Sequence, residues 1–306
     1  MYALRMICGL SFVLAQSAML LISGMSDPAH AAAEVTVDGD KRIEIITEER
    51  KLEPGAELMA KTANGRIVVK GWDKPSAKIV IKKEMRTNGG GGFLFWKSKG
   101  SPFASEEAAQ EYFNGLKVDV TGDEKRLDLR VTYPPRKNGV NLSVSYDLMV
   151  PKSCAATLKT SNGAIDVQGI SGSVNAETSN GRVALKDILG NVKAHTSNGE
   201  IKCEDFNGAF NATTSNGQVM AVRNEPLAQN DEIECHTSNG RIQLSLPGES
   251  GFDLEAKTSN GSIKSAFPLP ETGDNRPRTY VNAPVNGGGP KVFLRTSNGA
   301  INLNAN

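Results

Sequence analysis

The acidic side chains of the sequence are the first candidates for chemistry, because paired carboxylates hydrolyse glycosides. Asp166, Glu200, Glu204 and Asp205 are scattered among cations and form no regular column. The Ser, His and Asp residues follow no triad order, and no nucleophile elbow is present. We therefore predict no catalytic residue, no cofactor-binding residue and no metal ligand, and we predict that the chain is not an enzyme.

The dominant pattern in the chain is the phrase Thr-Ser-Asn-Gly. It occurs seven times, and a variant, Thr-Ala-Asn-Gly, occurs at residues 62–65. The full copies begin at Thr160, Thr178, Thr196, Thr214, Thr237, Thr258 and Thr296. The first four full copies are eighteen residues apart, which indicates a structural repeat.

Apolar and polar residues alternate on both sides of each phrase. Five residues after each Thr lies an Ile or a Val, as in Ile67, Ile201 and Val219. Two residues before each Thr lies an Ala, a Cys or a Leu, and polar residues occupy the positions between. Alternation of period two around a turn predicts two short strands per repeat, each with one face inward.

A β-solenoid explains this pattern better than a series of hairpins, although Asn-Gly is also a strong hairpin signal. Coils that lie on one another place identical positions in columns, which accounts for the fixed residue type at each offset. The predicted fold is all-β: a single-stranded β-helix, or β-solenoid, of about 18-residue coils, with one short helical insertion.

Each corner of the solenoid is predicted to carry an inward Thr and a column of stacked Asn amides. Such a ladder satisfies donors and acceptors that a coil corner would otherwise leave unpaired. Its members would be Asn64, Asn162, Asn180, Asn198, Asn216, Asn239, Asn260 and Asn298. We expect the Gly after each Asn to adopt a positive φ, so that Gly199→Val would be more damaging than Glu200→Gln.

The histidines and cysteines of the repeats fit the same framework. His195 and His236 fall in one outward column with Thr213 between them, which puts them roughly 9–10 Å apart at ~4.8 Å per coil. That separation is too large for a shared metal ion. Cys203 and Cys235 stand where other coils have Val, Leu or Ala, so both are predicted to lie in the core.

The N-terminus is typical of a secretory signal peptide. Arg5 precedes an apolar run from Met6 to about Ile22, and Ala29 and Ala31 frame a small-x-small cleavage site. Residues 1–31 are therefore predicted to be removed, although the run is also long enough to act as an uncleaved anchor. Export predicts a periplasmic, cell-surface or secreted protein, with no transmembrane domain in the mature chain.

Residues 34–153 are predicted to form irregular N-terminal rungs of the solenoid, interrupted by an insertion at residues 86–115. A glycine run in the insertion leads into Phe93, Leu94, Phe95 and Trp96. Two interpretations are open. The aromatic residues and the following helix pack over a flank or an open end of the solenoid, or these four residues form an exposed partner-binding loop.

The helix of the insertion is predicted from about residue 105 to residue 114. Ser105 is a suitable N-cap, Glu106 and Glu107 favour the positive helix terminus, and Gly115 suits the end of the helix. The predicted apolar face consists of Ala108, Ala109, Tyr112 and Phe113.

Residues 154–303 are predicted to form the regular Thr-Ser-Asn-Gly array. A Pro- and Gly-rich loop at residues 268–290 interrupts it. Residues 291–303 would return as the last coil of the stack, and the tail at residues 304–306 would have no further strand with which to pair.

The Thr-Ser-Asn-Gly-x-Ile-x-Val units resemble the bacterial β-strand-repeat family named "putative adhesin", a domain of unknown function. The first unit, at residues 62–72 and followed by Asp73, Lys74 and Pro75, is similar to the usual first strand pair of that family. The resemblance extends over about residues 40–303. It implies a β-solenoid and an exported location, and it supplies no catalytic residues.

The repeat and the resemblance together predict an exported, non-enzymatic β-solenoid scaffold, either an adhesin or a cell-envelope binding protein. Its partner would be a surface glycan or protein of unknown identity, and its oligomeric state is open. Nucleic acid is not expected, because 35 Lys and Arg residues balance 34 Asp and Glu residues. The alternative is a carbohydrate-active solenoid enzyme of the polysaccharide lyase or hydrolase type, which would need two acids within about 5–10 Å.

Overall fold

Two long sheets enclose the core of the molecule. The computed structural model describes residues 32–38, 40–87, 102–270 and 277–306. In this part of the chain, sheet A has twelve strands and sheet B has eleven. Each regular coil contributes one strand to each sheet, so inward side chains from both sheets meet between them. The fold is a β-solenoid, and the prediction of its class is confirmed.

An irregular section precedes the regular coils. Its elements are β1 (Ala32–Asp38), β2 (Lys41–Lys51), β3 (Glu57–Lys61), β4 (Ile67–Trp72), β5 (Ser76–Thr87), α1 (Glu106–Asn114), β6 (Lys117–Asp123), β7 (Arg126–Thr132) and β8 (Val140–Pro151). The strands β8, β5, β2 and β1 extend sheet A with antiparallel pairs, and β7 and β6 extend sheet B.

The regular coils follow at the eighteen-residue spacing. Their strands are β9 (Ala155–Lys159), β10 (Ile165–Ile170), β11 (Val174–Asn180), β12 (Val183–Ile188), β13 (Val192–Asn198), β14 (Ile201–Phe206), β15 (Phe210–Asn216), β16 (Val219–Val222), β17 (Ile233–Asn239) and β18 (Ile242–Leu246). All pairs between successive coils are parallel, and identical offsets lie side by side.

The apolar columns expected from the repeat form the core. Ile201 lies between Val183 and Val219 in sheet A, and all three are fully buried. The first coil, β3 and β4, stacks directly on β9 and β10, so Ile67 is the register neighbour of Ile165. The chain between these two coils loops out and forms the irregular section before it returns to the stack.

The coil of residues 291–305 is not the last in space. The remaining strands are β19 (Phe252–Asn260), β20 (Ile263–Ser265), β21 (Tyr280–Val285), β22 (Lys291–Asn298) and β23 (Ile301–Ala305). β22 pairs with both β17 and β19, and β23 pairs with both β18 and β20. This coil is therefore inserted between two coils that precede it in the sequence, and β21 covers the outer edge of β19.

The expectation of an unpaired tail is consequently wrong. The backbone N–H of Asn306 donates to the carbonyl of Leu246 at 3.0 Å, and its side-chain amide donates to the carbonyl of Arg223 at 3.0 Å. Asn304 donates to the hydroxyl of Ser245 at 3.3 Å. These bonds exist because β23 lies beside β18, whose residues Ser245 and Leu246 are the register neighbours of Asn304 and Ala305.

Helix α1 begins and ends where the sequence predicted. The hydroxyl of Ser105 accepts a hydrogen bond from the N–H of Ala108 at 3.2 Å, and Gly115 forms the C-cap. Phe113 is buried, with the ammonium group of Lys83 in β5 5.0 Å from its ring centroid. Glu106 pairs with Arg42 in β2. The helix thus covers the antiparallel extension of sheet A.

The reason for the repeated glycines differs from the expected one. Among the eight glycines of the phrase, only Gly65 has a positive φ, of 140°. A Cβ atom on Gly199 would instead lie 2.0 Å from the carbonyl oxygen of Gly181, in the coil beneath it. Close stacking of one corner on the next excludes a side chain here, so the prediction of a positive φ at every copy was wrong.

Positive φ angles occur at the opposite corner of the coil. Gly169 has a φ of 70°, and Asp187 and Asp205 occupy the equivalent position with φ of 54° and 56°. The residue that follows each of them points inward, as Ile170 and Phe206 show by their burial. The left-handed residue turns the chain so that this side chain enters the core.

Candidate functional site

The asparagines of the phrase are joined in one continuous chain of amides. In every step the Nδ2 group of one Asn donates to the Oδ1 atom of the neighbouring Asn at 2.7–2.9 Å. The spatial order is Asn64, Asn162, Asn180, Asn198, Asn216, Asn239, Asn298 and Asn260. Asn64 at the first end donates to the carbonyl of Leu142 at 3.3 Å.

The threonines of the phrase bind the coil beneath them. The hydroxyl of Thr196 donates to the carbonyl of Gly181 at 2.9 Å, and Thr178 donates to Gly163 at 3.0 Å. All eight of these threonines are buried. Their hydroxyl groups satisfy carbonyls inside the corner, so they are not available to a ligand.

Among the described residues, His195 and His236 lie apart on sheet B and the three cysteines are buried. His195 and His236 are separated by Thr213 in sheet B. No group of three or more His, Cys, Asp or Glu side chains in the described residues could hold a metal ion. Cys154, Cys203 and Cys235 are buried, and burial raises the pKa of each thiol, to about 12 for Cys154.

A groove of about 360 Å³ lies on the outer surface of sheet A, across the first four coils of the stack. Its lining includes five cations, of which Arg66, Lys70, Arg182 and Lys186 belong to the first and third coils. We name it the four-cation groove after these four. Arg66 and Lys70 belong to the first coil, and Arg182 and Lys186 occupy the same two offsets in the third coil. The cations therefore stand in two rows across the sheet.

The floor of the groove is made of short side chains. Val68, Asp166 and Ala184 are register neighbours in β4, β10 and β12, and each is partly exposed. Gln168 stands in the row of the two lysines, between Lys70 and Lys186. Long side chains at the rim and short ones in the middle leave an open channel along the stacking direction.

Asp166 holds the two arginines of the groove in place. Its Oδ2 atom accepts a hydrogen bond from Nε of Arg66 at 2.7 Å, and its Oδ1 atom accepts one from Nη2 of Arg182 at 3.0 Å. The Asp166 side chain is 17 % exposed, whereas the two arginine side chains are 54 % and 59 % exposed. The carboxylate is thus covered by guanidinium groups whose remaining N–H donors face solvent.

Positive charge is in excess around the groove. Its lining contains a fifth cation, Lys202, and two carboxylates, Asp166 and Glu204, so the local balance is five against two. Lys202 is paired with Glu204 at 2.5 Å. Within the described part of the chain, neither Lys70 nor Lys186 forms an ion pair.

Carboxylates also mark the limits of the positive surface. Asp147 of β8 lies beside Val68. Glu200 occupies the offset of Arg182 in the next coil, where it accepts a hydrogen bond from Gln218 at 2.9 Å. In the fourth coil of sheet A, Glu200 and Glu204 therefore outnumber Lys202.

All four cations are visible in the sequence, but the sequence alone did not indicate that they lie close together. Arg66 with Arg182, and Lys70 with Lys186, are equal offsets of the repeat and could have been matched by alignment. The missing information was that the coil at residues 62–72 stacks directly on the coil at residues 160–170. Eighty-seven residues between the two segments conceal that contact in the sequence.

A family model named Toastrack DUF4097 matches residues 138–304, which is more than half of the 306 residues. The chain belongs to the Toastrack family. The resemblance seen in the repeat units is confirmed at the level of this family, whose function is not established. No curated protein matches the chain.

Three solved structures each align with 85 % of this Toastrack protein. A "putative cell adhesion protein" from Clostridium sporogenes is 14 % identical, with a TM-score of 0.34 and 99 % of its own chain covered. A "putative adhesin" from Bacteroides fragilis is 12 % identical, with a TM-score of 0.39 and 96 % covered. A "Putative lipid binding protein" from Parabacteroides distasonis is 14 % identical, with a TM-score of 0.28 and 96 % covered.

The Toastrack match covers only part of the four-cation groove. Asp166, Arg182 and Lys186 lie inside the matched residues, and Arg66 and Lys70 precede them. The groove is thus completed by a coil that the family model does not reach.

Larger recesses than the groove also occur on the surface of this Toastrack protein. One, of about 370 Å³, crosses the outer surface of sheet B, where Asn211 donates to Glu234 at 2.6 Å. Another, of about 550 Å³, lies between α1 and the segment that joins β7 to β8, and its lining includes Tyr112, Tyr133 and Arg136. The predicted binding residues Phe93, Leu94, Phe95 and Trp96 lie outside the described residues.

Proposed function

We propose that this Toastrack protein is an exported, non-enzymatic β-solenoid scaffold that binds a partner at the cell envelope. The proposed partner is a surface glycan or protein, and adhesion is the corresponding activity. Residues 1–31 would act as the export signal, residues 34–153 would form the irregular first section and residues 154–303 the regular array. No helix in the described residues is long and apolar enough to cross a membrane.

The four-cation groove is the observation that carries this proposal. Lys70 forms no ion pair among the described residues, and Lys186 lies beside its register neighbour Glu204 without forming an ion pair with it. Cations left unpaired at a partly enclosed surface attract anionic groups and fix their orientation. The groove lies on stacked strands rather than on a loop, so its side chains are presented from a rigid support.

The carboxylates give no support to the enzymatic alternative. A glycosidase needs a carboxyl group whose pKa is raised, so that it can donate a proton. Hydrogen bonds from Lys159 and Lys202 instead lower the pKa of the carboxyl groups of Glu177 and Glu204. Asp166 is occupied by two arginines. We therefore favour binding over hydrolysis.

Phe93, Leu94, Phe95 and Trp96 are proposed as a second contact, and the support for it comes from the sequence alone. The asparagine ladder is proposed to be structural, because its amides bind one another from coil to coil.

Binding of residues 32–306 to intact bacterial cells and to a glycan array tests the proposal. We expect binding by the unaltered protein and a loss of at least about tenfold for the double variant Lys70→Gln and Lys186→Gln. The matched control is Lys193→Gln with Lys257→Gln, which removes two exposed lysines from the outer surface of sheet B.

The same comparison includes a variant in which a Gly-Ser linker replaces residues 88–101. Loss of binding in this variant would place the partner at the second contact. Absence of binding by every folded variant, including the unaltered protein, would contradict the proposed function.

A further inference from the structure

Strand β1 forms the edge of sheet A at the N-terminal end of the stack. It spans the seven residues Ala32–Asp38 and pairs with β2 on one side. In the described part of the chain, no strand lies on its other side. The backbone groups on that side are therefore open to a further strand.

The hydrogen bonds of the neighbouring strands show which backbone groups these are. The N–H of Thr87 in β5 donates to the carbonyl of Asp40 at 3.0 Å, so the even-numbered residues along β2 face β5 and the odd-numbered ones face β1. Odd-numbered residues of β2 are the register neighbours of even-numbered residues of β1. The backbone N–H and C=O groups of Ala33, Val35 and Val37 consequently point away from the sheet.

The other three sheet ends carry features that oppose pairing with another chain. At the far end of sheet A, β20 has only three residues. In sheet B, β21 contains Pro284, which has no N–H to donate, and β6 contains Lys117 and Gly122. Short strands, proline, lysine and glycine all weaken pairing at a sheet edge. Because β1 is longer and contains no Pro, Lys or Gly, it is the edge best suited to accept a further strand.

The inward face of β1 is also uncovered. Val37 and Val35 are the register neighbours of Arg42 and Glu44, on the face that α1 covers farther into the sheet. Arg42 is buried, whereas Val35 and Val37 are 39 % and 50 % exposed. The cover thus ends at β2. Exposed β-branched side chains beside unpaired backbone groups favour another β-strand as the partner.

We propose that β1 pairs with β1 of a second copy of this chain, antiparallel about a two-fold axis at Val35. In this register all seven residues of each strand are paired. Val35 lies opposite Val35 of the second copy, and Ala33 lies opposite Val37, so the exposed valines meet on one face. Glu34 lies opposite Thr36 on the other face.

The alternative registers are less favourable. A shift of one residue puts the valines of the two copies on opposite faces of the joined sheet. A shift of two residues leaves five residues paired, seven minus two, and in one direction it places Glu34 opposite Glu34 of the second copy. Like charges directly opposite each other destabilise a strand pair. The register centred on Val35 avoids both faults.

The contact joins the sheets A of two molecules edge to edge. A pair of seven-residue strands buries less than the ~1,200 Å² of a standard interface, so the dimer is reversible, with a Kd on the order of 10–100 µM. Each dimer carries two four-cation grooves, and a surface that both grooves reach would be bound more tightly than by a monomer. This inference goes beyond the proposed function and does not depend on it.

Sedimentation velocity of residues 32–306 tests the dimer, at concentrations from about 1 µM to about 500 µM. We expect a reversible equilibrium between monomer and dimer. Val35→Lys places two ammonium groups opposite each other and should weaken the dimer by at least about tenfold. The matched control is Leu189→Lys, because Leu189 is 64 % exposed and lies far from β1 in the sequence and in sheet A.

The control variant should have a Kd within about twofold of that of the unaltered protein. Equal losses in the two variants would show general association of exposed apolar side chains, which would overturn the assignment of the interface to β1. Circular dichroism of both variants establishes that the fold is intact.

Cysteine substitutions test the register. The Cα atoms of opposite hydrogen-bonded residues lie ~5.5 Å apart, which is within the range of a disulfide. Oxidation with diamide should join Val35→Cys to itself, whereas Ala33→Cys should be joined only in a mixture with Val37→Cys. The unaltered protein is the control, because Cys154, Cys203 and Cys235 are buried. Joining of Ala33→Cys to itself as readily as Val35→Cys would overturn the register.

The variant with a Gly-Ser linker in place of residues 88–101 separates a second copy from an occupant within the same chain. We expect this variant to dimerise with the same Kd as the unaltered protein. A monomeric unaltered protein beside a dimeric linker variant would show that residues 88–101 occupy the edge, and this result would overturn the inference. A monomeric state of both proteins at the highest concentration would also overturn it. Neither result bears on binding at the four-cation groove.

Discussion

At the scale of single residues, Thr, Asn and Gly of the repeated phrase each contact a different part of the neighbouring coil. Thr196 binds a carbonyl, Asn198 binds an amide, and Gly199 allows the two backbones to approach. All three residues therefore contribute to the stacking of one coil on the next. The outward positions after the phrase vary from coil to coil, and two of them supply the four cations of the groove.

Gly199→Ala should destabilise the protein strongly although alanine is small. Its Cβ atom would meet the carbonyl oxygen of Gly181 at 2.0 Å, so the two coils would have to separate. We expect a loss of about 3 kcal/mol or more in the free energy of unfolding, measured by urea denaturation.

Gly55→Ala is the matched control for that measurement. Gly55 has a φ of 87°, but no atom lies within 4 Å of the place that its Cβ atom would take, so only backbone strain opposes the substitution. We expect a loss of about 1–2 kcal/mol. A larger loss at Gly55 than at Gly199 would contradict the stacking explanation.

At the scale of elements, the asparagine ladder should respond to substitution according to position. The side chain of Asn198 is bonded to Asn180 and Asn216, whereas that of Asn260, at the end of the ladder, is bonded among the described residues only to Asn298. Asn198→Ala should therefore cost about 1–3 kcal/mol and Asn260→Ala about 0.5–1.5 kcal/mol. Equal costs in thermal unfolding would show that the amides do not act as a chain.

The apolar column of sheet A should be sensitive to truncation at its centre. Ile201 is fully buried between Val183 and Val219. Ile201→Ala should lower the free energy of unfolding by about 2–5 kcal/mol in urea denaturation. The exposed Lys193→Ala should change it by less than about 0.5 kcal/mol, and similar values for the two variants would contradict the register.

The elements that could be predicted were those with a local signal. The columns around Ile201 follow from alternation within eighteen residues, and the bounds of α1 follow from Ser105 and Gly115. Neither conclusion needed information about a distant part of the chain.

The elements that could not be predicted depend on which coils are neighbours. The groove requires Arg66 to lie two coils from Arg182, and the inserted coil requires β22 to lie beside β17. Any two coils with the same residue types at the same offsets could pair in parallel, so the repeat pattern alone does not specify their order. The long connections at residues 73–154 and 266–290 separate in sequence coils that are neighbours in space.

At the scale of the whole molecule, the inserted coil should be among its more stable parts. β22 and β23 each have a parallel neighbour on both sides, whereas β20 lies at the end of sheet A. In hydrogen exchange, amides of β22 and β23 should be protected as strongly as those of β17 and β18. Exchange of β22 as fast as that of β20 would indicate that the coil joins the stack only loosely.

The order of the coils also governs how the protein can be built. During synthesis the N-terminal residues emerge first, so coils can be added in succession up to residues 233–246. Residues 252–265 are then synthesised before residues 291–305, which form the coil between them and the rest of the stack. Until residues 291–305 are synthesised, the edges of β17 and β18 are unpaired, and unpaired strand edges can pair with strands of other chains. The coil at residues 291–305 of a second copy can pair with this edge in the same parallel register. Refolding at high concentration should therefore yield domain-swapped dimers, and dilution should favour the monomer.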